Sequence, residues 1–193
     1  GIRLMAARGA YPACGDAGHF VQHGVALAKG LSGAMSTYWS QGMIAIAAGA
    51  VKAGCDPRYA LQATTLIAGV AVVVFFAGIL WSLTGSWKLA VVGGGIVAAN
   101  PAMVQYSVTG YSEMPYMAFL LAGICAGLHK FRSPWVSHGL AGLMIGMGGY
   151  FKGLDAAVAA IGYGVYVMWR THAWKRRIAL EAAAAPIMAF FIL

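Results

Sequence analysis

Asp16 stands in the run Cys14-Gly15-Asp16-Ala17-Gly18-His19-Phe20, directly ahead of a segment with amphipathic helical spacing. A carboxylate in that position has two uses. It accepts hydrogen bonds from the exposed amides of a helix start, or it takes a proton from an acceptor as general base. The sequence weighs the two evenly. Glu113 is the second carboxylate of interest, because it closes a polar stretch of Gln105, Tyr106, Ser107, Thr109, Tyr111 and Ser112. Asp56 and Asp155 have simpler explanations: Asp56-Pro57 starts a turn, and Asp155 is placed to cap a helix from Ala156. Asp16, His19 and His23 share one helix face at i, i+3 and i+7. A divalent metal there is the less favoured reading, since the run supplies only three ligands and lacks a zinc-type motif. No cofactor is expected.

The elements that must position these residues are helices. Of 193 residues, 61% are hydrophobic and 9% charged, well below the roughly 25% charged residues of soluble domains. The expected fold is all-α, a polytopic transmembrane helix bundle. Five apolar runs read as helices, Tyr59–Leu83, Leu89–Val104, Pro115–Leu128, Trp135–Tyr150 and Ala156–Trp169, and a sixth starts near Ile178. Residues 1–58 form an outer loop with two short interfacial helices, His19–Lys29 and Gly42–Ala53, and residues 59–193 form the transmembrane part. Pro101 is expected to kink the second run. Both ends read as cut, so the chain is expected to be part of a longer protein.

The loops orient the bundle. Lys88, then Lys130 and Arg132, then Arg170, Lys175, Arg176 and Arg177 occupy alternate loops, which places those loops on the cytoplasmic side. The remaining loops and residues 1–58 then lie outside, as expected for a bacterial inner (plasma) membrane protein. Asp16, Asp56, Glu113 and Asp155 all fall on that outer side, and Glu181 alone falls inside. Asp16 and Glu113 are therefore expected to converge on one outer cavity. Tyr38, Trp39 and Gln41 belong to the same polar rim, and Arg58 and Lys152 are outer cations suited to a phosphate. Cys14 and Cys55 share the outer segment and are a candidate disulfide pair. The net charge of +8 is spread along interfaces between apolar runs, a pattern of topology rather than of nucleic-acid binding.

Taken in order, Asp16-x-x-His19, Leu27-Ala28-Lys29-Gly30, Tyr38, Gly42 and Gly54-x-x-x-Arg58 resemble the first outer loop of GT-C glycosyltransferases. The likeness is to the protein O-mannosyltransferase and lipid A aminoarabinose transferase group. It continues through Asn100-Pro101, Ser112-Glu113 and Lys152-Gly153-Leu154-Asp155. The resemblance implies transfer of a sugar from a polyprenyl-phosphate donor to an acceptor on the outer face. Asp16 would match the catalytic aspartate, with Glu113 beside it. His19, Tyr38, Gln41, Arg58, Tyr111, Lys152 and Asp155 would meet the substrates. Membrane lipid and other membrane subunits are the further partners implied. Ala17 departs from the usual Asp-Glu pair, and Lys152-Gly153 from the usual Arg-Pro. Those departures favour a second reading, a non-catalytic GT-C-like subunit of a larger membrane complex. Transport ranks last, because the apolar runs are nearly free of ionisable groups.

The orientation has a direct test. Under a membrane-impermeant thiol reagent applied to intact cells, a single cysteine at Ser133 should stay unlabelled, and one at Ser112 should react. The reverse pattern overturns the assigned topology.

Overall fold

A computed structural model describes residues 15–31, 39–129 and 134–171. Every element in them is helical, as composition requires: α1 Asp16–Ala28, α2 Gln41–Lys52, α3 Pro57–Thr84, α4 Trp87–Ala99, α5 Pro101–Tyr106, α6 Glu113–Leu128, α7 Pro134–Gly149 and α8 Gly153–Thr171. Tyr38, Cys14, the run from Ile178, and Lys130 and Arg132, both expected on the cytoplasmic side, lie outside the described residues.

The chain divides into two compact units. One comprises residues 1–73 with 95–115, the other residues 74–94 with 116–193.

In the first unit α1 and α2 pack face to face. Gly24 is what lets them close. A methyl placed on it would lie 2.5 Å from the Ala47 Cβ and 3.0 Å from the Ala48 backbone nitrogen. Phe20, Met43, Ile44 and Ala47 are buried around this contact. Helix α2 starts where Ser40 caps it, its Oγ accepting from the Met43 amide at 3.4 Å. Helix α3 starts in the same way, with Asp56 Oδ1 accepting from the Arg58 amide at 2.8 Å, as the Asp-Pro turn implies.

Helix α3 has 28 residues and a mean hydropathy of 2.5 over its most apolar window, of which 17% is buried. At 1.5 Å per residue it runs about 42 Å, longer than a hydrocarbon core of about 30 Å. Its exposed side chains include Ile67, Val70, Val74 and Trp81. Among the described residues it is the one helix long and apolar enough to cross a membrane, while α4 and α6 are apolar but shorter. The expected apolar runs are thus helical and in the expected order, and among the described residues one helix has spanning length.

The run Leu89–Val104 is broken rather than kinked. Helix α4 ends at Ala99, and the Asn100 side chain caps α5 by accepting from the amides of Ala102 and Met103 at 3.0 and 3.3 Å. Pro101 sits at the first helical position, where its missing N–H costs nothing.

In the second unit glycines again set the spacing. Gly93 of α4 faces Leu80 and Phe76 of α3 across the Gly85 turn, whose φ is 67°. Gly123 of α6 meets Ile145 and the Ala141 carbonyl of α7, and Gly127 lies against the Tyr163 ring of α8. Ser137 of α7 donates to the Ala126 carbonyl at 2.7 Å and lies near those of Gly127 and His129, satisfying the end of α6.

Replacing Gly24 with Leu should force α1 from α2 and cost about 1–3 kcal/mol of overpacking. The same change at Gly49, which faces open space, should cost much less. Thermal unfolding of both variants in detergent checks this, and equal losses would remove Gly24 from the contact.

Candidate functional site

Within the first unit the chain returns its polar residues to α3. The Thr65 hydroxyl, fully buried, lies 3.1 Å from the Ser107 carbonyl and 3.1 Å from that of Gln62. Gln62 Nε2 donates to the Val108 carbonyl at 3.3 Å. Ser107 and Val108 follow α5, where the helix has ended and its carbonyls need donors. These contacts fix the segment that carries Thr109, Tyr111 and Glu113.

Tyr111 then reaches Gly15. Gly15 has φ 74°, in the left-handed region that favours glycine, and a methyl on it would lie 2.9 Å from the Tyr111 hydroxyl oxygen. The structure therefore joins the turn before Asp16 to the segment that ends in Glu113, though the two are nearly a hundred residues apart. Tyr106 and Tyr111 lie 6.3 Å apart, ring centre to ring centre, and continue the aromatic side of that segment.

Asp16 is exposed and is the first residue of α1. The residue before it, Gly15, holds the N-cap position and forms no side-chain cap. Asp16 is therefore a first-turn acid and not the cap that the sequence left open. Its placement suits the helix dipole, which favours acidic side chains in the first turn. Glu113 opens α6 in a different setting, with its Oε2 shielded from solvent, as are Gln41 Oε1 and Thr109 Oγ1.

One and two turns beyond Asp16, His19 and His23 flank the Trp39 indole. The His19 ring stacks on it at 4.5 Å and 19°, His23 lies 6.5 Å away, and Phe20 meets it edge-on at 6.2 Å. Both imidazoles serve an aromatic cluster. Among the described residues no group of three His, Cys, Asp or Glu is arranged to hold a metal.

The two cations expected on the outer side fall in different units. Arg58 is exposed at the start of α3 in the first unit. Lys152 and Asp155 belong to the second unit, where their side chains form a loose i, i+3 pair at 3.9 Å. Asp155 lies inside the first turn of α8, not ahead of it, because the helix starts at Gly153. Its backbone carbonyl accepts from the Tyr116 hydroxyl at 3.1 Å. Cys55 is an exposed free thiol whose sulfur lies 3.9 Å from the Ala53 carbonyl. The expected pairing with Cys14 falls on a residue outside the described ones, and on the expected topology the exposed Cys55 thiol would report on the outer side. Ser112 suits that use poorly, since it is buried.

The site residues placed in the first unit are thus Asp16, His19, Gln41, Arg58, Tyr111 and Glu113. The Gly15–Tyr111 contact had one signal in the sequence, a glycine directly before the acid. No protein-family model, curated protein or solved structure matches the chain.

The contact predicts a measurable coupling. Gly15→Ala should destabilise the protein by about 1–3 kcal/mol through its left-handed backbone and the crowded hydroxyl. In a Tyr111→Ala background the crowding is absent and the cost should fall. A double-mutant cycle read by thermal unfolding should give a coupling of about 0.5 kcal/mol or more; strict additivity would separate the two residues.

Proposed function

We propose that the chain is a multi-pass membrane protein of GT-C type that transfers a sugar from a polyprenyl phosphate to an acceptor on the outer face, with Asp16 as general base. The observation that carries this reading is the setting of Asp16. It is exposed, it is not the N-cap of its helix, and its turn lies against the Tyr111 hydroxyl from the segment that leads to Glu113.

Several features support the membrane part. Helix α3 is long, apolar and mostly uncovered along its sides. Apolar side chains also line the surface of α4 and α8, among them Val91, Ile96, Val158 and Ile161. Helices α4 and α5 together occupy Trp87 to Tyr106, twenty residues with a capped break, the length of about one span. Residues 1–58 belong outside on this reading, and the loops with Lys88, Lys130, Arg132 and Arg170–Arg177 belong inside.

The chemistry follows from charge. An acceptor hydroxyl is a weak nucleophile, and an exposed carboxylate beside it can remove its proton as the bond to the sugar forms. Lipid phosphate leaves with negative charge, which the Arg58 guanidinium is suited to stabilise. Lys152 is less free for that task, being shared with Asp155. Tyr111, expected to meet substrate, lies with its hydroxyl against the turn before Asp16.

Asp16→Asn separates a base from a structural acid. The variant should fold as the wild type does, because asparagine fits an exposed first-turn position. Release of polyprenyl phosphate from a polyprenyl-phosphate sugar in membranes should fall about 10²–10⁴-fold. Wild-type release by a folded Asp16→Asn protein would defeat the base assignment. No release by either protein would favour the non-catalytic subunit.

A further inference from the structure

The first unit carries a basic surface that three helix ends bring together. Helices α1 and α2 run in the same direction. Near the start of α1 the rings of His19 and Phe20 meet Trp39, just ahead of α2. Further along, Gly24 faces Ala47 and Ala48. The trailing ends therefore lie side by side. Lys29, the C-cap of α1, stands five residues beyond Gly24, and Lys52, the last residue of α2, five beyond Ala47. After a short turn Arg58 lies in the first turn of α3.

All three cations are exposed, as are Leu31 and Tyr59 close to them in sequence. Among the described residues none of the three forms an ion pair. Asp56 is the acid of the turn, and its Oδ1 already accepts from the Arg58 amide. Lys29 and Lys52 suit the ends they occupy, because a helix C-terminus favours cations. Arg58 does not. It stands at the N-terminal end of α3, where the dipole opposes positive charge. It also adjoins the outer end of a candidate span, where Lys and Arg are disfavoured. A charge that breaks two local preferences at one place calls for a partner of opposite sign.

The neighbouring surface says which partner. Directly after Arg58, the residues Tyr59, Ala63, Ile67 and Val70 are exposed along one face of α3. An apolar face that begins where a basic cluster ends matches the edge of a bilayer, hydrocarbon on one side and phosphate on the other. Tyr59 is of the type that rests at that level. A soluble acidic partner would leave the apolar face without a counterpart.

We infer that Lys29, Lys52 and Arg58 form a docking surface for the phosphate headgroups of anionic phospholipids, in the leaflet that α3 enters by its first turns. The inference rests on the membrane reading above and not on sugar transfer, in which Lys29 and Lys52 have no part.

Cys55 supplies the test, because its exposed thiol lies in the turn between Lys52 and Arg58. The full chain, with Cys14→Ser and Cys125→Ala, carries bimane on Cys55 and is placed in phosphatidylcholine nanodiscs. A minor share of the lipid bears a nitroxide near the head of one acyl chain, on phosphatidylglycerol or on phosphatidylcholine. Quenching by the phosphatidylglycerol probe should exceed that by the phosphatidylcholine probe about fivefold. Lys29→Gln with Lys52→Gln should bring the two lipids level, and Lys29→Arg with Lys52→Arg should keep the excess. Bimane on Val70→Cys, in a chain with Cys55→Ser, reports separately on the apolar face of α3.

Quenching at Val70 with none at Cys55 overturns the headgroup surface alone. So does equal quenching of Cys55 by the two lipids, or an excess that survives Lys29→Gln with Lys52→Gln. An excess abolished by inorganic phosphate at matched ionic strength assigns the cluster to a free anion and also overturns the proposal. Absence of quenching at both sites overturns the membrane reading, and the headgroup surface with it.

Discussion

The first unit depends on two side chains of α3 that reach sideways. Thr65 and Gln62 bring hydrogen-bond donors to the carbonyls of Ser107 and Val108, just past the end of α5. A buried carbonyl left without a donor costs about 1–3 kcal/mol, more than a satisfied one gains. The polar segment that follows α5 is therefore held wherever those donors are. Tyr111 stands on that segment with its hydroxyl close to Gly15, the residue that precedes α1. Asp16 follows directly on that turn as the first residue of α1, with Gly15 and not Asp16 at the N-cap.

The second unit is assembled on a different principle. Its helices approach through positions that lack a side chain: Gly93 toward Leu80, Gly123 toward Ile145, Gly127 toward Tyr163. Close approach through small residues suits helices in lipid, where apolar burial drives association weakly and packing must do more. Ser137 adds a polar contact, closing the carbonyl end of α6 from the neighbouring helix.

Helix type was legible from composition, and the order of the apolar runs from hydropathy. The short polar signals were legible where chemistry is local. Asp56-Pro57 and Asn100-Pro101 each start a helix by accepting amides two or three residues away. Asp155 was misplaced by a turn because Gly153 and Leu154 have no strong cap preference, so the helix extends over them. Asp16 was ambiguous for the same reason. Whether an acid caps or stands in the first turn depends on the backbone of the glycine before it, which sequence leaves free. The expected span lengths also differed, since apolar runs continue across breaks such as Asn100 that hydropathy does not register. Contacts such as Gly15–Tyr111 need a tertiary fold and left no periodic trace.

The length of α3 has one more consequence. Its axis of about 42 Å exceeds the apolar thickness of an average bilayer by about 12 Å. In a bilayer such a helix must lean, or draw the lipid around it thicker, or carry its ends into the headgroups. The sequence of α3 divides that excess unevenly. Arg58, Tyr59 and Gln62 occupy its first two turns, and Trp81, Ser82 and Thr84 its last. Tyr and Trp rest at the level of the headgroups, so the two aromatic residues act as floats that set the draught of the helix. If α3 spans a bilayer, the distance between them, rather than the full length of the helix, is the thickness to which it is matched.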